Sequence, residues 1–409
     1  MSAPPVSPKT PIPTPPLDGI RVLEFSHAIM GPSAGLMLAD LGADVIKVEP
    51  APEGDTTRKL RGFTAGFFSY FNRNKRSIAI DLKSKSGLAL LHRMVESADV
   101  VVENFAPGTM DRLGCGYEAL SALNPRLIFC ALKGFLSGPY EHRPALDEVV
   151  QFMGGLAYVT GPPGQPLRAG TSVVDIMGGA MAVIAILAAL RERDRTGKGQ
   201  LVKSALFEST VFMMGQHMAG GAIMGEIVQP MTVRRGGWGI YQTFKTADDD
   251  QVFVGVTSDQ HWKRFCDVFK LPELYADPRL GSNADRVEAR PWMIPKVAEV
   301  LVRHTKAEIL KLCEQASIPY APVAKVEDLF DDPHLNASGA LLDVTLPGGI
   351  RTKLPRLPIE IGEHPLGVTR EAPGVGEHTR ELLAELGLAE GDIARLEGDG
   401  VVAATKGVR

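Results

Sequence analysis

Asp175 immediately precedes the most apolar stretch of the chain, residues 176–190, which is rich in Ala, Gly and Met. A side-chain carboxylate can attack an activated acyl group and hold it as a mixed anhydride, with no metal or neighbouring base. At the start of an apolar helix the helix dipole would favour its ionised form. Gly178 and Gly179 follow, and their missing side chains would let a substrate or another backbone come close. The competing role is structural, since aspartate is a common helix N-cap. On the residues alone both roles stay open.

Other chemistries find less support. Cys115, Cys130, Cys266 and Cys313 are widely spaced, with no CxxC pair and no histidine-containing ligand cluster. They are expected to be reduced, partly buried thiols, in keeping with a cytoplasmic protein. The net charge is -4 and no long basic run occurs, which argues against nucleic-acid or polybasic membrane binding. The run 176–190 is shorter than the roughly 20 residues needed to span a bilayer. No metal and no tightly bound cofactor is expected.

The elements that would position Asp175 follow from alternation along the chain. Residues 20–25 (IRVLEF) read as a buried strand, 33–41 as a helix and 45–48 as a second strand, a βαβ unit. Strands at 77–81, 100–103 and 127–132 alternate with helices at 84–98 and 117–124, which implies a doubly wound α/β sheet. Its first loop, residues 26–35, invites a dinucleotide site, with Glu49 ending the second strand. The GxGxxG pattern is absent, however, and Pro32 removes an amide. The helix N-terminus still suits an anionic, nucleotide-bearing ligand.

Beyond residue 205 the pattern changes. Two β runs, YQTF and VFVGV, flank the turn residues 247–250 and predict a hairpin, with helices at 260–268, 290–303 and 306–316 and a terminal helix at 377–388. The expected division is a disordered tail, 1–16; a large Rossmann-like domain, 17–205 plus 350–409; a linker, 206–234, read as a long helix and connector; a smaller inserted α+β domain, 235–325; and a return linker, 326–349.

Several strings, weak singly, together resemble the class III CoA-transferases, the family of formyl-CoA and carnitine CoA-transferases. They are LDGIRVLE at 17–24, LGADVIKVE at 41–49, GDTTR at 54–58, NKRS at 74–77, ENFAPG at 103–108, NPRLI at 124–128, TGKGQ at 196–200 and GEHT at 376–379. The resemblance places the nucleophile in SVVDIMGG, residues 172–179, at Asp175. It implies coenzyme A as substrate, bound by Ile29, Met30, Phe71, Asn72, Asn74, Lys75 and Arg76. Asn104, Phe105, Ala106, Arg112 and Lys133 complete that set. It also implies a homodimer of interlocked rings.

Departures from the family bear on the acid partner. Ile29 stands where formyl-CoA transferase has a glutamine, Pro50 where it has an arginine, and its glycine-rich loop is reduced to residues 235–239 (RGGWG). Formate-to-oxalate exchange is therefore not expected. Succinyl-CoA as donor and a small dicarboxylic acid as acceptor are, with Arg234 or Arg235 meeting the far carboxylate beside Gly236 and Gly237. Two alternatives fit the same CoA-binding loops. An α-methylacyl-CoA racemase needs a second acid/base group, but Leu146 stands at the matching position. A non-catalytic acyl-CoA-binding protein would need no carboxylate nucleophile, and Asp175 argues against it.

Overall fold

The computed structural model describes residues 14–234 and 236–405. They form two compact units: Val233–Asn336, and the chain on either side of it.

The first unit is built on a seven-stranded sheet. Its strands are β1 (Arg21–Phe25), β2 (Asp44–Glu49), β3 (Arg76–Ile80), β4 (Val100–Glu103), β5 (Ile128–Lys133) and β6 (Leu201–Ala205), joined by the short strand Val402–Ala403 near the chain end. The order is 3-2-1-4-5-6, all parallel, with the terminal strand antiparallel on the outer edge of β3. Alternate residues of each strand point to opposite faces. Val22, Val100, Val102, Ile128 and Cys130 enter one core, and Leu23, Phe25, Val101 and Phe129 the other.

Helices cover both faces. In chain order those before the second unit are α1 (Met30–Asp40), α2 (Gly66–Phe71), α3 (Lys85–Glu96), α4 (Thr109–Arg112) and α5 (Tyr117–Leu123), followed by α6 (Asp147–Met153), α7 (Leu156–Thr160), α8 (Val173–Thr196) and α9 (Leu206–Met224). By length and composition α8 could cross a membrane. Here it packs against α1, β5, β6 and α9, and Val174, Ala182, Val183 and Ile186 join the core. Gly179 makes the α1 contact possible: an added Cβ would lie 2.1 Å from Ser33 Oγ and 2.8 Å from the Met30 carbonyl. The close approach expected at this glycine is thus made by the backbone of α1.

Residues 206–224, within the stretch expected to be a long helix and connector, are the helix α9, and Leu206, Ser209, Thr210 and Met214 are buried in it. A hairpin of β-strands Leu341–Leu346 and Ile350–Pro355 lies in the returning segment.

The second unit carries the expected hairpin, Ile240–Lys245 with Gln251–Val256, extended by Tyr320–Pro322 into a three-stranded antiparallel sheet. Helices Asp259–Val268, Arg290–Leu301 and Lys306–Gln315 bury Trp262, Phe265, Met293 and Ile309 against it.

Candidate active site

In an open parallel sheet, ligands bind beyond the carboxyl ends of the strands where the strand order reverses. Here that point lies between β1 and β4. The loops leaving β1, β4 and β5 line a cavity of about 910 Å³, through His27–Met30, Asn104–Pro107 and Lys133–Gly134. Phe67, Tyr70 and Phe71 of α2, residues 142–148, and Arg168, Gly170–Ser172, Asp175 and Ile176 also line it.

The β1 loop is held tightly. Ala28 adopts a positive φ of 61°, and its amide donates to Thr57 Oγ1. Asn104 accepts from the His27 amide at 3.0 Å and donates to the His27 carbonyl at 2.8 Å. The His27 ring stacks on Phe105 with centroids 5.7 Å apart. Burial lowers the His27 pKa, so its ring is neutral at pH 7.

Asp175 occupies the third position of α8 and is half-buried in the cavity wall. It does not cap the helix. Ser172, at the N-cap, makes no side-chain cap bond either. The cap comes from another element: Asp147, first residue of α6 and buried, accepts from the amides of Val174 at 2.8 Å and Asp175 at 3.0 Å through Oδ2. Its other oxygen accepts from the Gln151 amide group, and Gln151 Oε1 accepts from the Ala169 amide at 2.8 Å.

This arrangement reverses the electrostatic expectation for Asp175. The helix amides are engaged by Asp147, so the favourable field at the helix start is spent on a second anion. Burial, then the charges of Asp147 and Glu148, push the Asp175 carboxyl up to about 7. Such an acid stands near half-ionisation at neutral pH. Once ionised, such a carboxylate is poorly hydrated and chemically able to act as a nucleophile.

Of the residues expected at CoA, Ile29, Met30, Phe71, Asn104, Phe105, Ala106 and Lys133 line this cavity with Asp175. Lys133 pairs with Glu103 at 2.5 Å and donates to the Phe105 carbonyl.

The run 72–76 lies elsewhere. Lys75 is fully buried, 2.6 Å from Glu24 Oε2, and donates to Asn72 Oδ1 and the Pro32 carbonyl. Asn74, with a φ of 63°, ties Asp40 to residues 367–370. Arg76 begins β3, at the amino-terminal end of that strand, and meets Asp44, Glu381 and Glu385. These cations are committed to carboxylates of the chain itself.

Arg112 is exposed on α4 and donates to Thr109 Oγ1. Arg234, Gly236 and Gly237 belong to the second unit, and Arg235 lies outside the described residues. Leu146 lines the cavity and carries no proton. The residues that sequence reading passed over are Asp147 as a cap, Gln151, Glu148 and Arg168. The i, i+4 spacing of Asp147 and Gln151 on a helix was the available signal.

Comparison with known proteins bears on what this cavity does. The family model for CoA-transferase family III matches residues 17–379. A succinate–glutarate CoA-transferase of Agrobacterium fabrum is 36% identical over 384 residues, covering 91% of this chain and 96% of that protein. A succinyl-CoA:glutarate CoA-transferase of Mus musculus is 32% identical, covering 95% of this chain and 90% of that protein. The crystal structure of a CaiB/BaiF family protein from Brucella suis superposes with a TM-score of 0.80 at 34% identity, covering 91% of this chain and all of that one. With a cleft at the switch point of a parallel sheet and a carboxylic acid set in its wall, the chain belongs to CoA-transferase family III and is a CoA-transferring enzyme.

Proposed function

We propose that this enzyme takes CoA from succinyl-CoA and passes it to a small dicarboxylic acid, with Asp175 as the covalent carrier. The observation that carries this reading is the placement of Asp175: a half-buried carboxyl facing a cavity large enough for a thioester and its acid, with its pKa near neutrality. The similar proteins named for succinate, succinyl-CoA and glutarate support the choice of acids.

The cycle begins with the Asp175 carboxylate attacking the thioester carbonyl. The C–S bond breaks, CoA leaves as thiolate, and an aspartyl–succinyl anhydride forms. The thiolate attacks the aspartyl carbonyl, giving an aspartyl-CoA thioester and releasing succinate. The acceptor carboxylate attacks that thioester, and the returning thiolate resolves the second anhydride into the new acyl-CoA and free Asp175. Binding of the nucleotide end fixes the thioester in line with Asp175. Ile29, Met30, Phe71, Asn104, Phe105, Ala106 and Lys133 are the proposed contacts to the CoA arm.

The proposed assembly is the interlocked homodimer. Phe212 and Ile223 of α9 are 72% and 86% exposed in the single chain, an apolar surface that a second copy would cover.

Incubation with labelled succinyl-CoA followed by borohydride or hydroxylamine tests the reading. Mass spectrometry should find the modified residue at Asp175. An unmodified Asp175 in a protein that turns over would refute it.

A further inference from the structure

A dicarboxylic substrate reacts at one end and must be recognised at the other. The far carboxylate is a planar two-oxygen anion that a guanidinium matches better than any other side chain. Several basic side chains line the cavity with Asp175, and most are engaged or uncharged. Lys133 is held by Glu103 and a carbonyl. Arg143 lies over the Tyr140 ring, 4.8 Å from its centroid. His27 is kept neutral by burial.

Arg168 differs. Its ion pair is with Glu148, whose Oε1 is 3.7 Å from Arg168 Nε, beyond hydrogen-bond length, and both side chains are more than 40% exposed. Both residues line the cavity with Asp175. Its Nη1 bonds only a neighbouring carbonyl, that of Ala169.

The backbone beneath Arg168 is fixed to the same anchor as the nucleophile. Gln151, itself fully buried, accepts from the Ala169 amide and donates to Asp147. Asp147 holds the amides of Val174 and Asp175. One buried Asp–Gln pair thus sets the position of both the reacting carboxylate and the loop that carries Arg168.

We propose that Arg168 selects dicarboxylic acids: its guanidinium exchanges Glu148 for the far carboxylate of the acid whose near carboxylate reacts at Asp175. This rests on the dicarboxylate reading above and deepens it. Glu148 acts as the resident anion that the substrate displaces. A monocarboxylic acid cannot displace it and leaves the pair closed.

The test compares glutarate with its monomethyl ester as acceptors, at one saturating concentration of succinyl-CoA. The two differ only at the far carboxylate, and any effect of Arg168 on the donor cancels in their ratio. In Arg168→Gln the ratio of kcat/KM for glutarate to that for the ester should fall about tenfold or more. Arg168→Lys should restore part of it, since an ammonium keeps the charge but not the fork. Glu148→Gln should raise the ratio by lowering KM for glutarate.

A wild-type enzyme that treats both acceptors alike would overturn the proposal, as would an Arg168→Gln protein with an unchanged ratio. So would a fall in the ratio in Arg234→Ala or Arg235→Ala but not in Arg168→Gln. Labelling of Asp175 by succinyl-CoA distinguishes the two levels. If Asp175 is labelled and the ratio does not respond, only the role of Arg168 fails. If Asp175 is never labelled during turnover, the covalent reading fails, whatever the ratio does.

Discussion

Asp147 Oδ2 accepts the amide proton of Asp175 at 3.0 Å, so the residue that fixes the Asp175 backbone is also a charge opposing ionisation of its side chain. The helix start would by itself favour an anion at Asp175. Burial and two neighbouring carboxylates outweigh it, and the carboxyl rises to about 7. The cavity wall therefore carries a carboxyl group that is costly to ionise.

The pH dependence follows directly. If Asp175 is the covalent carrier proposed above, its carboxylate is the reacting form, and kcat/KM for succinyl-CoA should rise with pH, bending near 7 and levelling above it. Below the bend the slope should be about tenfold per pH unit. A flat profile from pH 5 to 8, with chemistry rate-limiting, would contradict the raised value.

The same shift predicts a stability effect. An acid whose pKa is higher folded than unfolded takes up a proton on folding, so stability falls as pH rises between the two values. For Asp175 that window runs from about 4 to about 7. Asp175→Asn should abolish turnover yet unfold at higher denaturant concentration than the wild type at pH 8. The gap between 3.8 and about 7 caps the gain at about 4 kcal/mol, and partial solvent exposure reduces it. At pH 4 the two proteins should be nearly equal.

Asp147→Asn separates charge from capping. The amide oxygen can still accept from Val174 and Asp175, but the negative charge is gone. The acid limb of the rate profile should move to lower pH. Asp147→Ala removes the cap as well and should cost about 1–3 kcal/mol in chemical denaturation.

The sheet and its helices were legible because their signals are local. Short β-branched runs and amphipathic stretches gave β1 to β5, α3 and the hairpin of the second unit within a residue or two. Helices α6 and α7 were not read: each is short, and Gly154 and Gly155 break the pattern between them. The position of Asp175 was legible, but its electrostatics were not. They depend on Asp147, 28 residues earlier, and no periodicity within either helix reports that contact. The fate of Lys75 and Arg76 was hidden for the same reason, since Glu24, Asp44 and Glu385 come from other strands and from the far end of the chain.

The glycine pair of α8 should respond asymmetrically to alanine. At Gly179 the new methyl would meet Ser33 Oγ at 2.1 Å and backbone atoms of α1, which cannot move alone; a loss of about 1–3 kcal/mol is expected. At Gly178 the nearest atom is Met30 Cε, the flexible end of a side chain. There the better helix propensity of alanine, about 1 kcal/mol, offsets the crowding. Thermal unfolding of the two variants checks the order. Since Met30 lines the cavity, Gly178→Ala should also shift KM for succinyl-CoA.

Lys75→Met distinguishes two roles for the buried lysine. If Lys75 neutralised CoA phosphates, its loss would raise KM for succinyl-CoA and leave unfolding little changed. Its ammonium instead lies 2.6 Å from Glu24 in a fully buried site, and Glu24 is shared with Lys47 at 3.4 Å. Removing one cation leaves the fully buried Glu24 with only Lys47 and the Ser26 hydroxyl among these partners. The expected cost is about 3–5 kcal/mol of stability. Among molecules that remain folded at low temperature, KM for succinyl-CoA should stay within about twofold, because no carboxylate or amide lining the cavity depends on Lys75. Adding Glu24→Gln in the same chain should recover part of the lost stability by removing the stranded charge, which a role at the phosphates would not predict.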